Sequence, residues 1–187
     1  MSLPQENQRY TYADYCTWDD GQRWELIDGV PYAMSPAPRW EHQEILVELS
    51  GQFHNFLKGK PCKVFVAPFD VQLNANNDKN DTVVQPDLIV ICDYYKLGGT
   101  GCKGAPDLVI EILSPSTATH DKWVKFNLYQ RSGVREYWIV DPDSKTVSVH
   151  VLKDGIYTAA AYGVTDNAPV SVLPGCEINL QDVFDVE

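Results

Sequence analysis

Apolar and polar residues alternate on either side of Asp28-Gly29 in RWELIDGVPYAMSP (23–36), the pattern of two strands joined by a tight turn. The period then changes: Ile45, Leu46, Leu49, Phe53 and Phe56 recur at helical spacing through EHQEILVELSGQFHNFLKG (41–59), with Gly59 placed to stop the helix. CKVFVAPFDVQL (62–73), TVVQPDLIVIC (82–92) and PDLVIEIL (106–113) read as three strands, the first two joined by the polar loop NANNDKND. TATHDKWVKFNLYQRSG (117–133) predicts a second helix closed by Gly133, and EYWIVDP (136–142) a fourth strand. KTVSVHVLKDGIYTAAAY (145–162) predicts a hairpin turning at Asp154-Gly155, and the remainder, up to DVF, reads as short strand and turn. Helix, three strands, helix, strand is the order of an α/β (α+β) fold whose mixed sheet carries helices on its faces. Residues 1–10 are polar and read as a loose tail, with residues 11–187 a single domain.

One strand breaks the apolar rule. LVIEILSPST (108–117) has the two-faced apolar pattern of a covered central strand, yet Glu111 sits in its middle. A buried carboxylate must be paired, protonated or bound to a cation. In PDLIVIC, Asp87 shares a strand face with Ile89 and Ile91, and Glu111 shares one with Val109 and Leu113. If the two strands are neighbours, the acids converge, and two carboxylates brought together call for a cation between them or a proton on one. Mg²⁺ suits such a pair, because it is commonly held by one or two carboxylates, waters and a substrate phosphate. The following helix offers Lys122 and Lys125. Lys125 lies one turn before Tyr129, on an edge that can reach Glu111 as a counter-ion or as a group stabilising charge on a phosphate.

Composition narrows the classes. A chain of 187 residues with 44% hydrophobic residues has the material for a packed core and is not a disordered composition. No apolar run is long enough for a membrane helix and MSLPQENQRY is no signal peptide, so the expected setting is cytoplasmic. The five cysteines (Cys16, Cys62, Cys92, Cys102, Cys176) are odd in number and form no CxxC pair, which predicts reduced thiols. A net charge of −11 argues against tight sequence-independent binding to nucleic acid, which normally needs a basic face.

RWELIDGVPYAMSPAP, QPDLIVICD, PDLVIEILSPST, DKWVK and GVREYWIVDP together resemble the Uma2 family (DUF820), a branch of the PD-(D/E)xK restriction-endonuclease-like superfamily, from about residue 10 to the C-terminus. The resemblance implies an αβββαβ core, here with an N-terminal hairpin and extra C-terminal strands. It implies Asp87, Glu111 and the backbone carbonyl of Ile112 as ligands of Mg²⁺ (or Mn²⁺). The superfamily's strand lysine is replaced by Leu113, and the Uma2 pattern moves it to the helix, at Lys125. The family also has a glutamate at the position of Glu25.

The implied activity is a metal-dependent endonuclease hydrolysing DNA, in which a metal-bound water attacks the phosphodiester. The competing function is an inactive nuclease fold that binds DNA or serves as a dimeric interaction module. A homodimer is expected, and part of the aromatic complement (five Trp, ten Tyr) suits a subunit interface. Each residue also has a plainer reading. Glu111 and Lys125 suit a buried ion pair, Asp87 a turn after Pro86, and Glu25 an exposed hairpin position as well as an extra ligand or base. His42, which could contact a phosphate or Glu25, suits a capping or surface role. Asp107 reads as a strand-entry residue, Asp141 as a turn former, and Ser114 to Thr117 as a strand-to-helix turn rather than a serine nucleophile.

Overall fold

A computed structural model describes residues 4, 8–34, 37–75, 80–114 and 120–185, with the backbone alone for residues 120–122. After a helical turn α1 (Tyr12–Tyr15), the alternating segment forms β1 (Trp24–Ile27) and β2 (Val30–Ala33), paired antiparallel. Asp28 and Gly29 both take positive φ (51° and 77°), the two-residue turn that this dipeptide favours. The helical period becomes α2 (Trp40–Leu57), which buries Ile45, Leu46, Leu49 and Phe53 on one stripe, and Gly59 follows at φ 78°.

Two segments that read as single strands are each broken in two. Residues 62–73 divide into β3 (Lys63–Val66) and β4 (Asp70–Gln72) around Pro68, and residues 82–92 into β5 (Val83–Val84) and β6 (Leu88–Ile91) around Pro86. Proline cannot donate to a ladder, so each break lets the chain leave one sheet for another. Then come β7 (Leu97–Gly98), β8 (Gly101–Lys103) and β9 (Leu108–Ile112). The second helix is a π-helical segment, His120–Lys125, running into α3 (Phe126–Ser132), which Gly133 closes at φ 81°. β10 (Glu136–Asp141), the hairpin β11 (Thr146–Lys153) and β12 (Ile156–Gly163), β13 (Asn167–Pro169) and β14 (Glu177–Asn179) lead to α4 (Leu180–Val183). That last element is a helical turn where strand and turn were expected.

The strands form two six-stranded mixed sheets and one two-stranded pair. The central sheet runs β12-β11-β10-β9-β6-β3, parallel only between β9 and β10; the second runs β2-β1-β5-β4-β8-β7. Within the central sheet, α2, β3, β6, β9, α3 and β10 make the αβββαβ order. One face of this sheet (Leu88, Val90, Ile110, Ile112, Trp138) packs against α2 and the C-terminal segment. The other face (Ile89, Ile91, Val109, Tyr137) packs against α3 and the second sheet. Tyr10, assigned by the sequence to the loose tail, is buried with Leu26 and Val83.

The cysteines depart from the expectation of five thiols. Lys63 pairs with Ile91 across β3 and β6, so the next step of the register sets Cys62 opposite Cys92, and the two are joined as a disulfide. Register is a tertiary fact, and the scattered spacing in the chain conceals it. Cys16, Cys102 and Cys176 are free. No helix among the described residues is long and apolar enough to cross a membrane. The bond closes a loop with a sequence separation of 30. Replacing Cys62 and Cys92 by serine should cost about 2–4 kcal/mol of unfolding free energy. Urea melts of oxidised wild type and of the double variant measure the difference.

Candidate nuclease site

The pairing of β6 with β9 brings the acids to one end of the central sheet. Leu88 pairs with Ile110, and Asp87 and Glu111 are the next residues beyond that pair; Glu111 meets Lys125 and Tyr129 on the α3 side, while Asp87 is met by His42 of α2. Ile112 N–H is directed toward the β6 side and Leu113 N–H toward Val140 of β10. Glu111 therefore turns its own backbone toward β10. Pro86 falls opposite Ile112 and has no N–H to give the Ile112 carbonyl. The Ile112 N–H is taken instead by Asp87 Oδ2 at 2.8 Å, so Asp87 caps the end of the ladder.

Glu111 is 4% exposed, and its compensation comes from the second helix. Lys125 Nζ donates to Glu111 Oε1 at 2.9 Å and lies 3.0 Å from Glu25 Oε1; Tyr129, one turn on, donates its hydroxyl to the same Glu111 oxygen at 2.7 Å. Glu25 arrives from the other sheet and also accepts the Gln85 N–H at 2.9 Å. It is buried, not an exposed hairpin residue, because β1 lies inside its sheet between β2 and β5. Two carboxylates thus share one buried ammonium. Burial, then the negative charges of Glu111 and Glu25, raises the Tyr129 phenol well above its ordinary range. It remains a hydroxyl, able to donate.

His42 departs from the capping or surface position suggested by its place at the start of α2. It is buried, and its Nε2 lies 3.3 Å from Asp87 Oδ2, so it meets Asp87 and not Glu25. Asp107 accepts the Cys92 N–H and pairs with Arg135, and Asp141 accepts the N–H groups of Asp143 and Ser144, as a strand-entry and a turn residue should. Residues 115–119 of the serine-rich turn and the side chain of Lys122 lie outside the described residues.

Among the described residues no three His, Cys, Asp or Glu side chains are grouped so as to cage an ion. The donor set is smaller: Asp87, which meets His42 and the Ile112 N–H, Glu111, which meets Lys125 and Tyr129, and the backbone carbonyl of Ile112. Three carboxylates against one lysine leave negative charge even if His42 is protonated. Two carboxylates, a carbonyl and excess negative charge fit a hard ion that keeps several waters, as Mg²⁺ does, and do not fit a fully protein-ligated ion.

Tyr129 and Gln85 carry contacts here that chain-level reading did not assign. The signal for Tyr129 was present, since it lies four residues after Lys125 on one helix face. For Gln85 there was none, because its part is played by a backbone N–H. Lys125→Met leaves Glu25 and Glu111 buried without their cation and should destabilise the fold by about 3–5 kcal/mol in chemical denaturation. The raised Tyr129 phenol gives a second expectation. Its contribution is complete below pH 10, the ordinary tyrosine value, and is lost as pH climbs toward its higher folded-state value, because only the unfolded chain then ionises it. Stability measured from pH 8 to 11 should fall at the alkaline end, and less steeply in Tyr129→Phe.

An uncharacterised protein of Synechocystis, slr1290, is 33% identical over 157 residues, covering 82% of this chain and 80% of that one. The crystal structure described as a "putative nuclease belonging to DUF820" from Anabaena variabilis superposes with a TM-score of 0.75 at 20% identity, over 94% of this chain and 97% of that one, a likeness of fold. The Uma2 profile, described as "Putative restriction endonuclease", matches residues 11–181. The chain belongs to the Uma2 family, and its fold is the nuclease-like one of that group.

Proposed function

We propose that this protein is a metal-dependent endonuclease that hydrolyses DNA phosphodiester bonds. The observation that carries the proposal is the meeting of β6 and β9 at one end of the central sheet, where Asp87 accepts the Ile112 N–H and buried Lys125 lies against Glu111. Asp87, Glu111 and the Ile112 carbonyl would hold Mg²⁺ or Mn²⁺, which when bound supplies Lewis acidity and a water of lowered pKa. Lys125 pairs with Glu111 and puts positive charge beside a phosphate that gains negative charge in the transition state. Tyr129 and Glu25 hold that lysine–glutamate pair in one geometry, and His42 orients the Asp87 carboxylate. A local cluster of this kind can act on DNA despite the net charge of −11, since field in a cleft depends on nearby groups more than on the total.

A second reading rests on one observation: Lys125 already compensates both glutamates without a metal. On that reading the chain is a DNA-binding or dimeric interaction module that does not cut. Titration calorimetry with Mn²⁺ separates the two, because uptake that disappears in Glu111→Ala belongs to the nuclease. With Mn²⁺ and supercoiled plasmid, wild type should nick, while Asp87→Ala and Glu111→Ala should each be slower by about a hundredfold or more. Equal rates in all three rule out the site.

A further inference from the structure

A pocket of about 320 Å³ opens beside the acid pair, between the start of α2, the end of β9 and the β10–β11 turn. Its volume lies near the lower end of the ~300–1,000 Å³ usual for small-molecule sites. Ile45, Leu113, Pro142 and Phe184 give it apolar walls, and Trp40, more than half exposed, stands at its edge. Its charged lining balances: Arg39 is paired to Glu41 at 3.2 Å, and Lys145 is accompanied by Asp143. Such a lining gives no preference for a phosphate and suits a neutral, flat, apolar-faced group.

Polar capacity is also left over. Glu41 Oε2 and His42 Nδ1 are buried and lack hydrogen-bond partners among the described residues, and both side chains line the pocket. His42 is also the residue whose Nε2 faces Asp87. Leu113 and Ser114 follow directly on Glu111 and Ile112. The pocket therefore adjoins Asp87 through His42, and its Leu113 and Ser114 wall continues β9 from Glu111 and Ile112.

We infer that this pocket is a nucleobase subsite, taking one unstacked base of the strand whose phosphate lies at Asp87 and Glu111; in naming that strand, the inference rests on the nuclease reading. A base has the required chemistry: two π-faces for Trp40 and the apolar walls, and an edge with donors and acceptors for Glu41 and His42. A base stacked inside continuous duplex cannot enter, so an overhang, flap or frayed end supplies the ligand.

Saturation-transfer NMR on the full chain without metal or DNA, with deoxyadenosine and deoxycytidine as probes and inorganic phosphate as competitor, tests the subsite. Both nucleosides should give transfer that phosphate does not displace. They should also shift the Trp40 indole N–H resonance of the wild type, a readout that needs no variant. Trp40→Ala should weaken binding about fivefold or more. Absence of transfer at millimolar nucleoside, displacement by phosphate, or unchanged binding in Trp40→Ala overturns the inference. The two readings fail separately. Cleavage of plasmid or of a flapped oligonucleotide without nucleoside binding removes the subsite alone, and nucleoside binding without cleavage of either removes the nuclease reading while the pocket keeps its ligand.

Discussion

The ammonium of Lys125, held between Glu25 and Glu111, joins three parts of the molecule. Glu25 belongs to the second sheet, Glu111 to the central one and Lys125 to the junction of the π-helical segment with α3. A buried ion pair of this kind rarely adds net stability over an apolar contact, but removing any one member leaves uncompensated charge. The contact therefore constrains how the sheets and the helix meet.

The rest of the site follows from that constraint. The two acids come to the same end of the central sheet because β6 and β9 pair in one register. Pro86 ends the ladder where Asp87 begins, which frees the Asp87 side chain to take the Ile112 N–H. Behind the acids the central sheet is covered on both faces, by α2 and the C-terminal segment on one and by α3 and the second sheet on the other. Buried charge is tolerated there because each carboxylate has specific partners. His42 connects this interior to the neighbouring pocket, touching Asp87 with one ring nitrogen while lining the cavity.

Much of this could be read along the chain. Glu111 stood out because a carboxylate inside a two-faced apolar strand demands compensation, and Asp87 because it begins a second strand of the same kind. Lys125 was legible from its spacing to Tyr129. Glu25 and His42 were harder: alternation on a hairpin and a position in the first turn of a helix both suggest exposure, and burial of each came from contacts distant in sequence. The disulfide between Cys62 and Cys92 and the division of two apolar runs between two sheets belong to the same class of fact.

Hydrophobic periodicity, glycine at helix ends and the Asp-Gly turns act over a few residues, so the sequence by itself determined the order αβββαβ, both hairpins and the acidic and basic residues available for chemistry. Which strands pair, in what register, and which side chains meet depends on contacts between segments tens of residues apart. Only the tertiary structure decided that Asp87 would meet His42 and the Ile112 N–H, that one lysine would serve two glutamates, and that His42 would turn inward to a pocket. Short-range propensity carries no information about those distances; packing of both sheet faces does.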